Sequence, residues 1–129
     1  MSPSQELYEK AREALEEVLK ESPIRYRLVH EGGSVAAYFF HPRYGLVDYL
    51  RFIPFDFLSQ SVESMVRAIC AHAKGAAEIQ PELVLEGNRG MVLCGVQALA
   101  VGPEHVVPAD WLPILEDLPQ DQKTRLANL

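Results

Sequence analysis

Six side chains suited to nucleophilic, general-base or soft-metal chemistry near neutral pH are scattered along the chain: His30, His41, Cys70, His72, Cys94 and His105. Cys70-x-His72 has the composition of a metal-ligand or thiolate–imidazole pair. Its spacing falls within a helical stretch, however, where residues two apart point about 200° from each other. The two therefore lie on opposite margins of a buried stripe and cannot share a ligand. Cys94 sits in the most apolar run of the sequence, where a free thiol packs as a small hydrophobe. A Cys70–Cys94 disulfide is open on sequence grounds, but an intracellular chain keeps such thiols reduced. His30 and His41 fall at opposite ends of one hairpin, roughly 20 Å apart along the strands. His105 follows Gly102-Pro103-Glu104, and Glu104 could orient its ring, but no nucleophile stands beside it. The carboxylate pairs Glu16-Glu17 and Glu116-Asp117 read as solvated charge. No G-x-S-x-G, phosphate-binding loop, G-x-G-x-x-G, H-E-x-x-H or C-x-x-C motif is present. The expectation is no catalytic residue, no metal site and no cofactor.

The elements that position these groups follow from periodicity. Ser2 as N-cap, Pro3 at the first helical position and Gln5 as the far member of a capping box open a helix over the first 21 residues. Its apolar stripe is Leu7, Tyr8, Ala11, Ala14, Leu15, Val18 and Leu19, and Ser22-Pro23 ends it. Strands are predicted at 24–30, 35–41 and 46–53, the first two joined through Gly32-Gly33 and the next two through Pro42-Arg43-Tyr44-Gly45. A second helix, capped by Ser59 or Ser61, carries Val62, Met65, Val66, Ile69 and Ala73 and stops at Gly75. Leu83–Glu86 and Met91–Val101 form a second hairpin, the latter a nearly continuous apolar strand of the kind covered on both faces. Gly95 within it marks a bulge or a close backbone approach. From Pro108 to Leu129, Trp111, Leu112, Ile114, Leu115 and Leu118 supply the apolar side of one or two short helices, Pro113 and Pro119 favouring two. The chain thus reads as one α+β domain, residues 1–129, in the order α-β-β-β-α-β-β-α(α), with helices packed on a mostly antiparallel sheet.

One surface stands out. A two-residue Gly32-Gly33 turn pairs Arg27 with Tyr38 and Arg25 with Phe40, on the face opposite Ile24, Tyr26 and Leu28. A four-residue loop from Pro42 to Gly45 then adds Val47, Tyr49 and Arg51 to that face, with Tyr49 opposite Tyr38. Leu46, Leu50 and Phe52 turn inward, and Asp48 lies at a strand end. Cross-strand neighbours at about 5 Å allow guanidinium–ring stacking. Arg and Tyr are enriched at protein-interface hot spots, so Arg25, Arg27, Tyr38, Phe40, Tyr49 and Arg51 form the candidate partner-binding face. The same residues could instead lie beneath a helix of the same chain.

Composition narrows the classes. The 129 residues carry 12 Lys+Arg against 18 Asp+Glu, a net charge of −6, so a general nucleic-acid binder is not expected. No run of about 18 apolar residues offers a membrane span, and Met1–Glu6 lacks the basic start and apolar core of a secretory signal. In element order, size and acidity the chain resembles the small dimeric chaperones that hold effectors for type III secretion. That resemblance rests on no specific residue and implies a dimer binding an unfolded partner segment. The expectation is a small cytoplasmic, non-catalytic protein-binding module, adaptor or chaperone-like, acting as a homodimer on another protein. Two other readings stay open: a small enzyme or ligand-binding domain with a pocket between helix and sheet, using His41 or His105, and an acidic inhibitor or immunity-type protein.

Overall fold

Ser2 opens the first helix, α1 (Pro3–Val18), by accepting a hydrogen bond from the Gln5 N–H at 3.2 Å. The reciprocal half of the capping box does not form, because the Gln5 side chain donates forward to Glu9 at 3.0 Å. The computed structural model describes all residues, 1–129. It continues with β1 (Arg25–Glu31), β2 (Ser34–His41) and β3 (Gly45–Phe52), then α2 (Val62–Ala76), capped by Ser61. Three short strands follow, β4 (Glu82–Glu86), β5 (Arg89–Cys94) and β6 (Gln97–Val101), and then α3 (Leu112–Glu116) and α4 (Gln120–Ala127).

The strands form two separate three-stranded antiparallel sheets, β1-β2-β3 and β4-β5-β6. The α+β class and the order of helices and strands are those read from the sequence. Within that order, the apolar run Met91–Val101 is not one strand but a hairpin turning at Gly95-Val96, so the second block holds three strands. Gly75 does not end α2 but lies inside it, the helix running on to Ala76. A 3₁₀ turn over Pro54–Leu58, which periodicity did not flag, follows β3 and leaves Phe55 and Leu58 exposed.

One cluster of 21 buried apolar residues draws on every helix but α4 and on both sheets. α1 and α2 lie together on the inner face of the first sheet, where Leu7, Leu15, Met65 and Ile69 meet Val35, Phe39 and Val47. Polar pins reinforce that layer: His30 Nε2 bonds Ser4 Oγ at 2.9 Å and its ring stacks on Tyr8, while Tyr26 Oη donates to Glu16. The inner face of the second sheet (Leu83, Val92, Cys94 and Val101) joins the same core beside Trp111, Ile114 and Leu118. The apolar tail residues Trp111, Ile114 and Leu118 are thus covered by their own chain.

Two contacts hold the sheets together. Val96 N–H donates to the Val47 carbonyl at 2.9 Å, and the Gln97 side chain donates to the Tyr44 carbonyl at 2.7 Å. The β2–β3 loop also grips the tail: Arg43 donates to Asp117 at 2.6 Å and to Glu116 at 2.9 Å, and Tyr44 Oη donates to Asp117 at 2.6 Å. Glu116-Asp117 is therefore an engaged pair, not idle solvated charge. Arg43 first, then Tyr44, hold the Asp117 carboxyl below its ordinary range. A depressed folded value contributes stability above the ordinary carboxylate range and loses it as pH falls through that value. Fluorescence of Trp111, just ahead of α3, should hold constant from neutral pH down to about pH 5 and change only below about pH 4. Asp117→Asn should remove that acid step; an unchanged acid profile would mean the loop does not hold the tail.

Candidate functional site

The β1–β2 register is the expected one throughout: Arg25 opposite Phe40, Arg27 opposite Tyr38, Val29 opposite Ala36 and Glu31 opposite Ser34. A two-residue glycine turn fixes that register mechanically. Beyond β2 the chain departs from expectation and then returns to it. The loop has three residues rather than four, with His41 opposite Gly45, and a bulge between Phe39 and Phe40 leaves Val47 without a strand partner. The two differences cancel from Asp48 onward, so Tyr49 still faces Tyr38 and Arg51 faces Ala36. Inside the bulge the faces exchange: Val47 is fully buried, and Leu46, opposite Phe40, turns away from the core. The expectation that Val47 joins the outer face and Leu46 the inner one is corrected, because one extra residue inverts a strand locally.

Both helices pack on the inner side, so the outer face of the first sheet has no cover from this chain. Arg25, Arg27 and Arg51 are exposed, Tyr49 is 52% exposed, and Tyr38 and Phe40 are half-buried. None of these six belongs to the core or packs against it. The three guanidiniums make no ion pair or hydrogen bond within the chain, as holds for most of its cations, and they are set apart by sharing one uncovered sheet face with two tyrosines. The expected stacking of Arg27 on Tyr38 and of Arg25 on Phe40 does not occur; Tyr38 stacks on Tyr49 instead, centroids 6.0 Å apart. With their rings paired, the tyrosines leave the arginine heads free for an external anion. A shallow hollow of about 130 Å³ opens beside them, lined by Val29, Glu31, Ser34, Ala36, Tyr38 and Arg51.

Comparison with protein-family models, curated proteins and solved structures found no match.

The groups capable of chemistry are dispersed by the same fold. His41 stacks on Tyr44 at 4.3 Å, and its Nδ1 accepts from the Arg43 N–H at 3.1 Å. Burial, opposed by the Asp117 charge, lowers its pKa. Burial likewise raises the Cys70 thiol and pushes Cys94 up to about 11, so neither is disposed to be a thiolate at neutral pH. Both cysteines are free. His72 does meet a carboxylate, Asp48 Oδ2 at 2.7 Å from Nδ1, but on an exposed helix margin where the pair ties α2 to β3. The alternating pattern of β3 placed Asp48 inward, yet nothing in the sequence paired it with a residue 24 positions away. His105 lines an open groove of about 650 Å³ with Asn88, Arg89, Met91 and Glu104, and its ring bonds no carboxylate or thiol. Neither His41 nor His105 bonds a carboxylate or thiol of the chain.

A second unpartnered surface lies on the outer side of β4-β5-β6. The cross-strand row Val84, Met91 and Ala100 faces outward, with Val84 47% and Met91 43% exposed. The sequence reads β5 and β6 as covered on both faces, but this chain covers only the inner one.

Proposed function

We propose that this protein is a small non-catalytic adaptor that binds another protein through the outer face of the first sheet. The observation that carries the reading is the set of three exposed, unpaired arginines beside a stacked tyrosine pair in a chain of net charge −6. The sheet fixes the backbone beneath these side chains, so binding orders side-chain rotamers but not the chain, and both residue types recur at interface hot spots. No helix is long and apolar enough to cross a membrane. The two free thiols fit a reducing, cytoplasmic setting.

The working unit in this reading is a homodimer joined through the outer face of the second sheet. That face surrounds Val84, Met91 and Ala100 with charges of both signs, Glu82, Glu86 and Arg89. Glu86 and Arg89 lie opposite each other and offset in charge, which leaves one uncompensated charge, so a copy meets it with little repulsion. The arginine face of the first sheet, by contrast, repels its own copy. Sedimentation velocity should give a dimer for the parent protein and a monomer for Met91→Glu, which places a charge at the centre of the apolar row. A parent monomer at high concentration would remove the dimer from the account.

Native mass spectrometry of the protein purified gently from its own cells tests the function as a whole. A complex with a second polypeptide is the expected result. A small-molecule adduct without a polypeptide would contradict it and favour a ligand in the groove beside His105.

A further inference from the structure

The hollow on the outer face has a definite origin. Across the three strands, Ala36 lies between Val29 and Arg51. Its methyl group is the shortest side chain there, and it is nearly covered by its neighbours, at 7% exposure. The result is a depression of about 130 Å³ walled by Tyr38 and Arg51. An open depression of that size can receive part of one side chain laid against it. Glu31 is the one carboxylate lining it, at the glycine-turn end, while Arg25 and Arg27 run away along β1 toward the other end. Arg51 at the rim, Arg27 one step further along β1 from Val29, and the small apolar side chains Val29 and Ala36 among polar neighbours select for one kind of occupant. It must bring carboxylates to Arg27 and Arg51 and an apolar side chain to the pit.

We infer that the partner's contact is an extended acidic segment that seats one aromatic or aliphatic side chain over Ala36, with the carboxylates two residues to either side of it held by Arg27 and Arg51. This deepens the adaptor reading and rests on it. An extended segment suits the face because alternate residues of a strand point the same way, so side chains two apart reach successive positions along the sheet.

The test is an NMR titration of the full chain with synthetic peptides Asp-Ser-Phe-Ser-Asp, Asp-Ser-Ala-Ser-Asp and Lys-Ser-Phe-Ser-Lys, and with oligothymidylate. The first peptide should shift the amides of Ala36, Tyr38 and Arg51 and bind about ten-fold tighter than the second, the return expected from burying one phenyl group. The lysine peptide should not bind. Ala36→Leu fills the pit and should erase the preference for Phe over Ala while leaving salt-dependent binding of both acidic peptides. Ala36→Val, suited to a strand, should do the same if the leucine variant folds poorly. Equal binding of the two acidic peptides, or a Phe preference that survives both variants, would overturn the anchor and leave the adaptor reading standing. Tighter binding of oligothymidylate at the same amides would overturn the protein partner itself. A polypeptide that co-purifies equally well with Arg27→Glu/Arg51→Glu protein would place the contact elsewhere, which is failure of the adaptor reading and not of the anchor alone.

Discussion

Protein carrying Arg27→Glu together with Arg51→Glu loses its partner, with affinity reduced about a thousand-fold, and melts within a few degrees of the parent. The affinity figure follows from two hot-spot arginines at about 2 kcal/mol each, to which like-charge repulsion of an acidic partner adds. The stability figure follows from exposure. Neither guanidinium has an intramolecular partner to lose, and exposed substitutions away from specific contacts stay within about 0.5 kcal/mol. The two outcomes must be read together. Lost capture with an intact melting curve assigns the face to binding, whereas unfolding of the double variant would make it structural.

Gly95→Ala is expected to have the largest effect on stability, at about 3–5 kcal/mol. Gly95 has φ +59°, a conformation that costs a residue with a Cβ about 1–2 kcal/mol. Strain of that kind is the smaller part. A Cβ there would sit 1.9 Å from the Val47 carbonyl oxygen, so backbone must move. The movement breaks the Val96–Val47 hydrogen bond that joins the two sheets. Gly87→Ala is the control, since Gly87 has φ +63° and nothing within 4 Å of its would-be Cβ. It should show the conformational cost alone, about 1–2 kcal/mol, in urea unfolding. Equal losses for the two variants would mean the turn does not lock the sheets.

These two sites show which parts of the molecule were legible in its sequence. The pairing of Arg27 with Tyr38 and of Arg25 with Phe40 could be read residue by residue because Gly32-Gly33 admits a single short-turn register. A four-residue loop and an unbulged strand also place Tyr49 opposite Tyr38, because the shorter real loop and the bulge at Val47 cancel. The bulge itself left no local trace. It is held by Val96, which arrives from another sheet, and no periodicity within β3 records that. Gly95 was the available signal: a close backbone approach was evident from a glycine in an apolar strand, but not what it approached. The run from Met91 to Val101 read as one strand because its apolar residues continue through the turn. Side-chain pairs far apart in the chain, Arg43 with Asp117 and Asp48 with His72, depend wholly on tertiary packing and were missed for that reason.

The central claim, that the outer face of the first sheet holds another protein, is tested most directly by a photo-crosslinking residue placed at Tyr49 in cells that make the protein. The same residue at Glu13, on the solvated side of α1, serves as the comparison. The account predicts a covalent adduct with a second polypeptide from position 49, absent from position 13 and lost when Arg27 and Arg51 are reversed in charge. Adducts from position 13 alone, or from position 49 regardless of the arginines, would contradict it.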